Sequence, residues 1–174
     1  MILETERLIL REMTTSDYND LCEILQDKEV MYAYEHAFSD EEVNNWLYNQ
    51  FYRYKKYGFG LFAVVLKNNG KMIGNIGITM QKFGDSQVAE IGYLLNKNYW
   101  GKGYATEGAV ACKNYAFDVL GLNEVYSIIR DNNFASQAVA KRNGMTIVGK
   151  ELKHYYNMDM PHLVYMVKNN NIIK

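Results

Sequence analysis

Apolar positions recur along the chain with two alternating periods. Arg7-Leu-Ile-Leu-Arg11 has the aliphatic run of a short first strand. Thr14-Thr-Ser-Asp17 then offers capping hydroxyls and an early acid, and Tyr18, Leu21, Cys22 and Leu25 follow at i, i+3, i+4, i+7, one face of a helix. Ser39-Asp-Glu-Glu42 is a capping box. Val43, Trp46, Leu47 and Phe51 continue it as a second amphipathic helix that ends before Gly58. A β section comes next. The runs 60–67 and 71–81 flank Asn68-Asn69-Gly70, where Asn-Gly supplies the positive φ of a tight hairpin, and 88–96 is a third consecutive strand. After Gly103 the period lengthens: Ala105, Ala109, Cys112, Ala116 and Val119 form a helix face of small residues, with Gly121 at the C-cap. A strand at 124–131, a helix at 134–143 stopped by Gly144, and strands at 146–155 and 163–168 around Pro161 close the chain. The order β-α-α-β-β-β-α-β-α-β-β predicts an α+β fold, a mixed sheet with helices on its faces.

The chain has 174 residues without repeat or linker, which predicts one domain spanning 1–174. Lys+Arg 19 against Asp+Glu 20 gives a net charge of −1, so no basic field points to nucleic acid or to an anionic membrane. Charges as early as Glu4 and the absence of a long apolar run predict neither signal peptide nor membrane span. Cys22 and Cys112 are far apart with no CxxC, as for reduced thiols, and the expected compartment is cytoplasmic. His36, His154 and His162 share no metal-ligand spacing, so no metal is expected.

The segment with the most chemistry is Tyr99-Trp-Gly-Lys-Gly-Tyr-Ala-Thr106, between a strand end and a helix start. Two glycines allow a sharp turn and close backbone approach. The helix start leaves N–H groups unpaired at a partial positive charge, and together these form a nest for a pyrophosphate. A tight turn with no ligand has the same sequence. A P-loop fails because Gly103 stands where Ser or Thr is needed; the GxGxxG fingerprint lacks its third glycine at Thr106, and although Glu124 stands about 20 residues on as that reading requires, the three consecutive strands before the motif count against it.

Several ordered motifs together resemble the GNAT superfamily of acetyl-CoA-dependent N-acetyltransferases, and within it the RimJ/RimL-like branch. Residues 99–107, Tyr-Trp-Gly-Lys-Gly-Tyr-Ala-Thr-Glu, are similar to that branch's CoA signature, with Trp100 where many relatives carry Arg or Gln. Glu90-Ile-Gly-Tyr-Leu94 resembles the family's fourth strand, Asn133-Phe-Ala-Ser136 its following helix start, and Glu4–Arg11 its opening. The resemblance implies a GNAT-like fold with a mostly antiparallel sheet of about seven strands and about four helices. It implies acetyl transfer from acetyl-CoA to an amine-bearing acceptor, by a monomer or homodimer.

Under that resemblance Tyr93, Leu94 and Leu95 supply a strand edge to the pantetheine arm. Trp100, Gly101, Lys102, Gly103, Tyr104, Ala105 and Thr106 hold the pyrophosphate, and Asn133 bonds the arm. Lys102 reads equally as a solvated turn residue and Asn133 as a helix N-cap. The oxyanion donor is expected near Leu94. Glu90 is the candidate base, or else a strand-face carboxylate in an ion pair. The tyrosine acid of many relatives is replaced by Ala140. Ser136 stands near the sulfur, or is a plain helix-start hydroxyl. Tyr34, Glu35 and His36, in a loop that also reads as ordinary packing, and Tyr165 and His162 from the last strand, are expected on the acceptor side. The alternative function is a non-catalytic CoA-binding or regulatory module of the same fold.

Overall fold

Helix boundaries fall where the sequence places its caps. In the computed structural model, which describes residues 2–34, 36–155 and 157–170, Ser39 and Glu42 form the capping box of α2 (Asp40–Tyr57), and Gly58 ends it at φ 75°. The first helix, α1, is Tyr18–Leu25. α3 (Tyr104–Asp118) starts on Gly103, and α4 (Phe134–Arg142) starts on Asn133. The strands are β1 (Ile2–Glu4), β2 (Leu8–Arg11), β3 (Leu61–Leu66), β4 (Met72–Phe83), β5 (Ser86–Leu95), β6 (Glu124–Arg130), β7 (Thr146–Tyr155) and β8 (Met158–Lys168).

They form one sheet in the order β1-β2-β3-β4-β5-β6-β8-β7. It has eight strands where the sequence pattern suggested about seven. The addition is β1, three residues long and so too short to show a period. It folds back on β2 through Thr5, whose hydroxyl accepts the Leu8 N–H at 2.9 Å. The last strand also starts earlier than expected. Pro161 lies inside β8, but β6 pairs with β8 only as far as His162, so the missing N–H leaves no gap in that ladder.

Apolar residues alternate between two cores. Phe62, Val64, Ile76, Ile78, Ile91 and Leu95 face α3 and α4 with Ala109, Cys112 and Ala140. Leu61, Ala63 and Val65 face α1 and α2 with Leu21, Leu25, Val43 and Leu47. The sheet is therefore buried on both sides through its middle, and β3 is buried at every position. No helix among the described residues is long and apolar enough to cross a membrane.

Candidate active site

The sheet breaks at one place. Every strand pair is antiparallel except β5 and β6, which are parallel and joined by a single bridge at Glu90–Tyr126. Beyond it the strands diverge, and side chains replace the ladder: the Ser127 hydroxyl donates to the Ile91 carbonyl at 2.7 Å, and the Ile128 N–H donates to the Glu90 carboxylate at 3.0 Å. From Gly92 to Leu95, β5 pairs with β4 alone. Register decides which amides are left over. The Asn96 N–H bonds to Ile73 on the β4 side, so residues 94 and 92 also point to β4, while Ile91, Tyr93 and Leu95 point into the gap. The strand donor that faces the centre of the gap is thus the Tyr93 N–H, the neighbour of Leu94.

Leu95 leads into the glycine turn. Its carbonyl accepts the Trp100 indole N–H at 2.9 Å, although the Trp100 ring is 46% exposed. Gly101 and Gly103 have φ of 73° and 82°, values that only glycine adopts without strain. No side chain caps α3, and its first helical hydrogen bond is Glu107 N–H to Gly103 carbonyl. The amides of Tyr104, Ala105 and Thr106 precede that bond, so the turn retains the donors an anion requires and fits a pyrophosphate. Lys102 folds back onto the Asn98 carbonyl (3.0 Å), which favours its role as a turn residue.

A brace from the N-terminal hairpin holds this turn. Glu107 accepts from the Thr5 hydroxyl (2.6 Å), the Arg7 N–H (2.9 Å) and Arg7 Nε (2.7 Å). Arg7 then donates to the Lys102 carbonyl at 2.9 Å and lies over the Tyr104 ring. Burial raises the Glu107 pKa, but these hydrogen bonds and the charge of Arg7 together outweigh it, and the carboxyl sits below its ordinary value.

A cavity of about 410 Å3 passes through the sheet at the divergence. On the α4 face it is lined by Tyr93, Asn133 and Ser136. On the α2 face it is lined by Tyr34, Trp46, Gln50, Arg53 and Thr79, with Arg130, Lys153 and His162 from β6–β8. Glu90, opposite Thr79 in the β4–β5 register, lines it on the α2 face. It keeps a little contact with solvent through the cavity but is otherwise surrounded by protein. Burial pushes its pKa up, against the Ile128 N–H, the charges of Lys153 and Arg53, and Thr79. A carboxylate held this way is a strengthened base. His162 donates Nδ1–H to the Met160 carbonyl at 2.7 Å, leaving Nε2 as its acceptor, and burial lowers its pKa toward the neutral ring. The Tyr93 hydroxyl crosses the gap to the Ser136 carbonyl at 2.7 Å, its pKa raised by burial.

The structure thus gathers Glu90, Tyr93, Leu94, Asn133, Ser136, Tyr34 and His162 around one cavity. Asn133 is also the N-cap of α4, accepting the Ser136 N–H at 3.1 Å. Residues 100–106 form the turn beyond the end of β5 and are not part of the cavity wall. The Leu95 side chain belongs to the core. Two expectations are corrected. Tyr165 is 1% exposed, with its hydroxyl on Gln137 inside the α4-side core, because its strand position points away from the α2 face. His36 is tied to the Glu42 carboxylate at 2.8 Å and does not line the cavity. Glu35 lies outside the described residues. Sequence reading missed Arg53, Arg130 and Lys153, and missed that the opening motif and the glycine turn touch. Arg53 carried a signal, standing seven positions after Trp46 on the same helix face.

The model of the acetyltransferase (GNAT) domain family matches residues 7–146. The chain is 33% identical over 144 residues to the uncharacterised protein YkkB of Bacillus subtilis, covering 82% of this chain and 84% of YkkB. It is 31% identical over 146 residues to the uncharacterised N-acetyltransferase YnaD of the same organism, covering 83% and 82%. Among solved structures, a GNAT-family acetyltransferase from Bacillus anthracis superposes with a TM-score of 0.83 at 27% identity, covering 97% of this chain and 98% of that one.

Proposed function

The chain belongs to the acetyltransferase (GNAT) family, and on that premise we propose that it moves the acetyl group of acetyl-CoA to a primary amine held in the through-sheet cavity. One observation carries the reading. The divergence of β5 from β6 joins an open strand edge and an uncapped, glycine-turned helix start to a cavity with a buried carboxylate. Bound acetyl-CoA supplies a thioester carbonyl, at which a C–N bond forms as the C–S bond breaks.

The protein's part is binding, proton transfer and charge stabilisation. The amides of residues 104–106 and the gap-facing backbone of β5 hold the coenzyme. Glu90, directly or through water, takes the proton an ammonium must lose before its nitrogen has a lone pair. The Tyr93 N–H meets the charge that develops on the carbonyl oxygen. The Ser136 hydroxyl faces the departing thiolate, which draws its proton from that group or from solvent, while the Tyr93 hydroxyl, donating to the Ser136 carbonyl, holds the start of α4 in place.

The test is release of free thiol from acetyl-CoA across a panel of primary amines, with CoA affinity measured by calorimetry. Amine-dependent thiol release with an acetylated product supports the reading. Tight CoA binding with no turnover across the panel overturns it in favour of a non-catalytic CoA-binding module.

A further inference from the structure

The charge of the cavity on its α2 side is not that of a site for a plain amine. Arg53 from α2, Arg130 from the end of β6 and Lys153 from β7 line it, and Glu90 is the only carboxylate in the wall among the described residues. Neither Arg53 nor Lys153 has a described carboxylate at ion-pair distance. The Arg53 guanidinium donates to Gln50 Oε1 at 3.2 Å, and burial pulls its pKa below the ordinary value against the charge of Glu90. Glu151 pairs in register with His162 across the β7–β8 ladder but is not part of the wall. Among the described residues Arg53 and Lys153 thus face the cavity with Glu90 as the one carboxylate in its wall, and cations so placed seek oxygen partners.

The 101–106 turn and the first turn of α3 are separate from these groups, so the phosphates of a coenzyme held at that turn do not account for them. Resting on the acetyl-transfer reading, we propose that the acceptor is a small amine bearing an oxyanion, a carboxylate or a phosphate, a few bonds from the amino group, with Arg53 and Lys153 gripping the oxyanion while the amine lies at Glu90. The fork of Arg53 suits either oxyanion through paired N–H donors. The same cations disfavour an ammonium beside them, which releases the amine as the free base that attacks. They repel a polyamine, whose extra charges would meet Arg53 and Lys153.

The experiment compares acceptors that differ only by the acid. Phenylalanine is set against phenylethylamine and phenylalaninamide, and phosphoethanolamine against ethanolamine, each with acetyl-CoA, reading kcat/KM. The acid-bearing member of at least one pair is expected to lead by about ten- to hundredfold, the range of a charge-assisted bond. The carboxylate and phosphate arms tell the two sources apart. Arg53→Gln is expected to collapse that ratio toward unity, Arg53→Lys to keep part of it, and Lys153→Met to reduce it independently should Arg53→Gln fold poorly by circular dichroism. Neutral members used as well as their acids, or an Arg53→Gln that lowers both members equally, overturns the proposal while leaving acetyl transfer intact. Calorimetry of N-acetylphenylalanine against its amide provides a readout that does not need turnover. Preference for the acid that is lost in Arg53→Gln supports the proposal even if no thiol is released, and equal binding of the two overturns it.

Discussion

Replacing Glu107 by alanine separates the glycine turn from the N-terminal hairpin. Three hydrogen bonds are lost, from the Thr5 hydroxyl, the Arg7 N–H and Arg7 Nε. A bond to a charged group is worth about 1.5–3 kcal/mol when shielded. The Arg7 side chain is 43% exposed, so its ion pair is discounted to under about 1 kcal/mol. Taking about 1 kcal/mol for each of the other two gives a loss of about 2–3 kcal/mol. At about 2–4 °C per kcal/mol for a chain of this size, Tm should fall by about 4–12 °C. Arg7 also loses the partner that aims it at the Lys102 carbonyl, so the turn samples other conformations. CoA affinity should weaken by about five- to tenfold, because only the fraction of molecules with the turn in place binds.

The assay is differential scanning calorimetry with a CoA titration, repeated against Glu107→Gln over pH. The folded-state pKa of Glu107 is depressed, so its contribution is complete above the unfolded value of about 4.3 and is lost as pH falls through the folded value. The gap between wild type and Glu107→Gln should close on acidification. A Tm change under about 1 °C with unchanged CoA affinity would refute the brace.

Three further outcomes follow from the site. Gly103→Val places a Cβ at φ 82° and 3.3 Å from Arg7 Nη2, so calorimetry should show weaker CoA binding and a strain of about 1–2 kcal/mol in a protein that still folds. Glu90→Gln should cut turnover by about 10²–10⁴ with little change in CoA affinity; because the folded-state pKa of Glu90 is raised, wild type loses stability as pH climbs from the unfolded toward the folded value, and the stability of Glu90→Gln relative to wild type should grow across that window in chemical denaturation. Ser136→Ala and Tyr93→Phe should each lower turnover by about tenfold at unchanged acetyl-CoA affinity, and the double variant should tell whether the two hydroxyls act together.

Elements that rest on local chemistry were legible in advance. The capping box at Ser39, the Asn-Gly turn before Lys71 and the stop at Gly144 each name a backbone conformation, and those conformations are present. The glycine turn at 101–103 was readable for the same reason. What depends on register was not. Alternation along β5 shows which side chains face the α3 and α4 core, but the direction of the Tyr93 and Leu94 amides depends on the pairing with β4, which no local pattern encodes. Its strand alone places Tyr165 on the acceptor side, and one residue of register decides between the cavity and the core. Arg53 and Lys153 are 100 positions apart and line one cavity only through the tertiary fold.

The single parallel contact explains why binding and chemistry share one place. Antiparallel neighbours joined by short turns, as β4 and β5 are, stay paired for their full length. β5 and β6 are instead connected through α3 and held by one bridge, so they are free to diverge. Their divergence exposes backbone donors that a closed sheet would consume, and Glu90 is the residue at which pairing stops. Its carboxylate accepts the Ile128 N–H that has lost a strand partner, and by the same position it stands at the mouth of the gap. The residue that terminates the ladder is thus also the one that desolvation makes a strengthened base. Gln at this position preserves the acceptor for Ile128 while removing the base, whereas Ala removes both. The difference between those two variants, in stability for the ladder and in rate for the chemistry, measures the two roles separately.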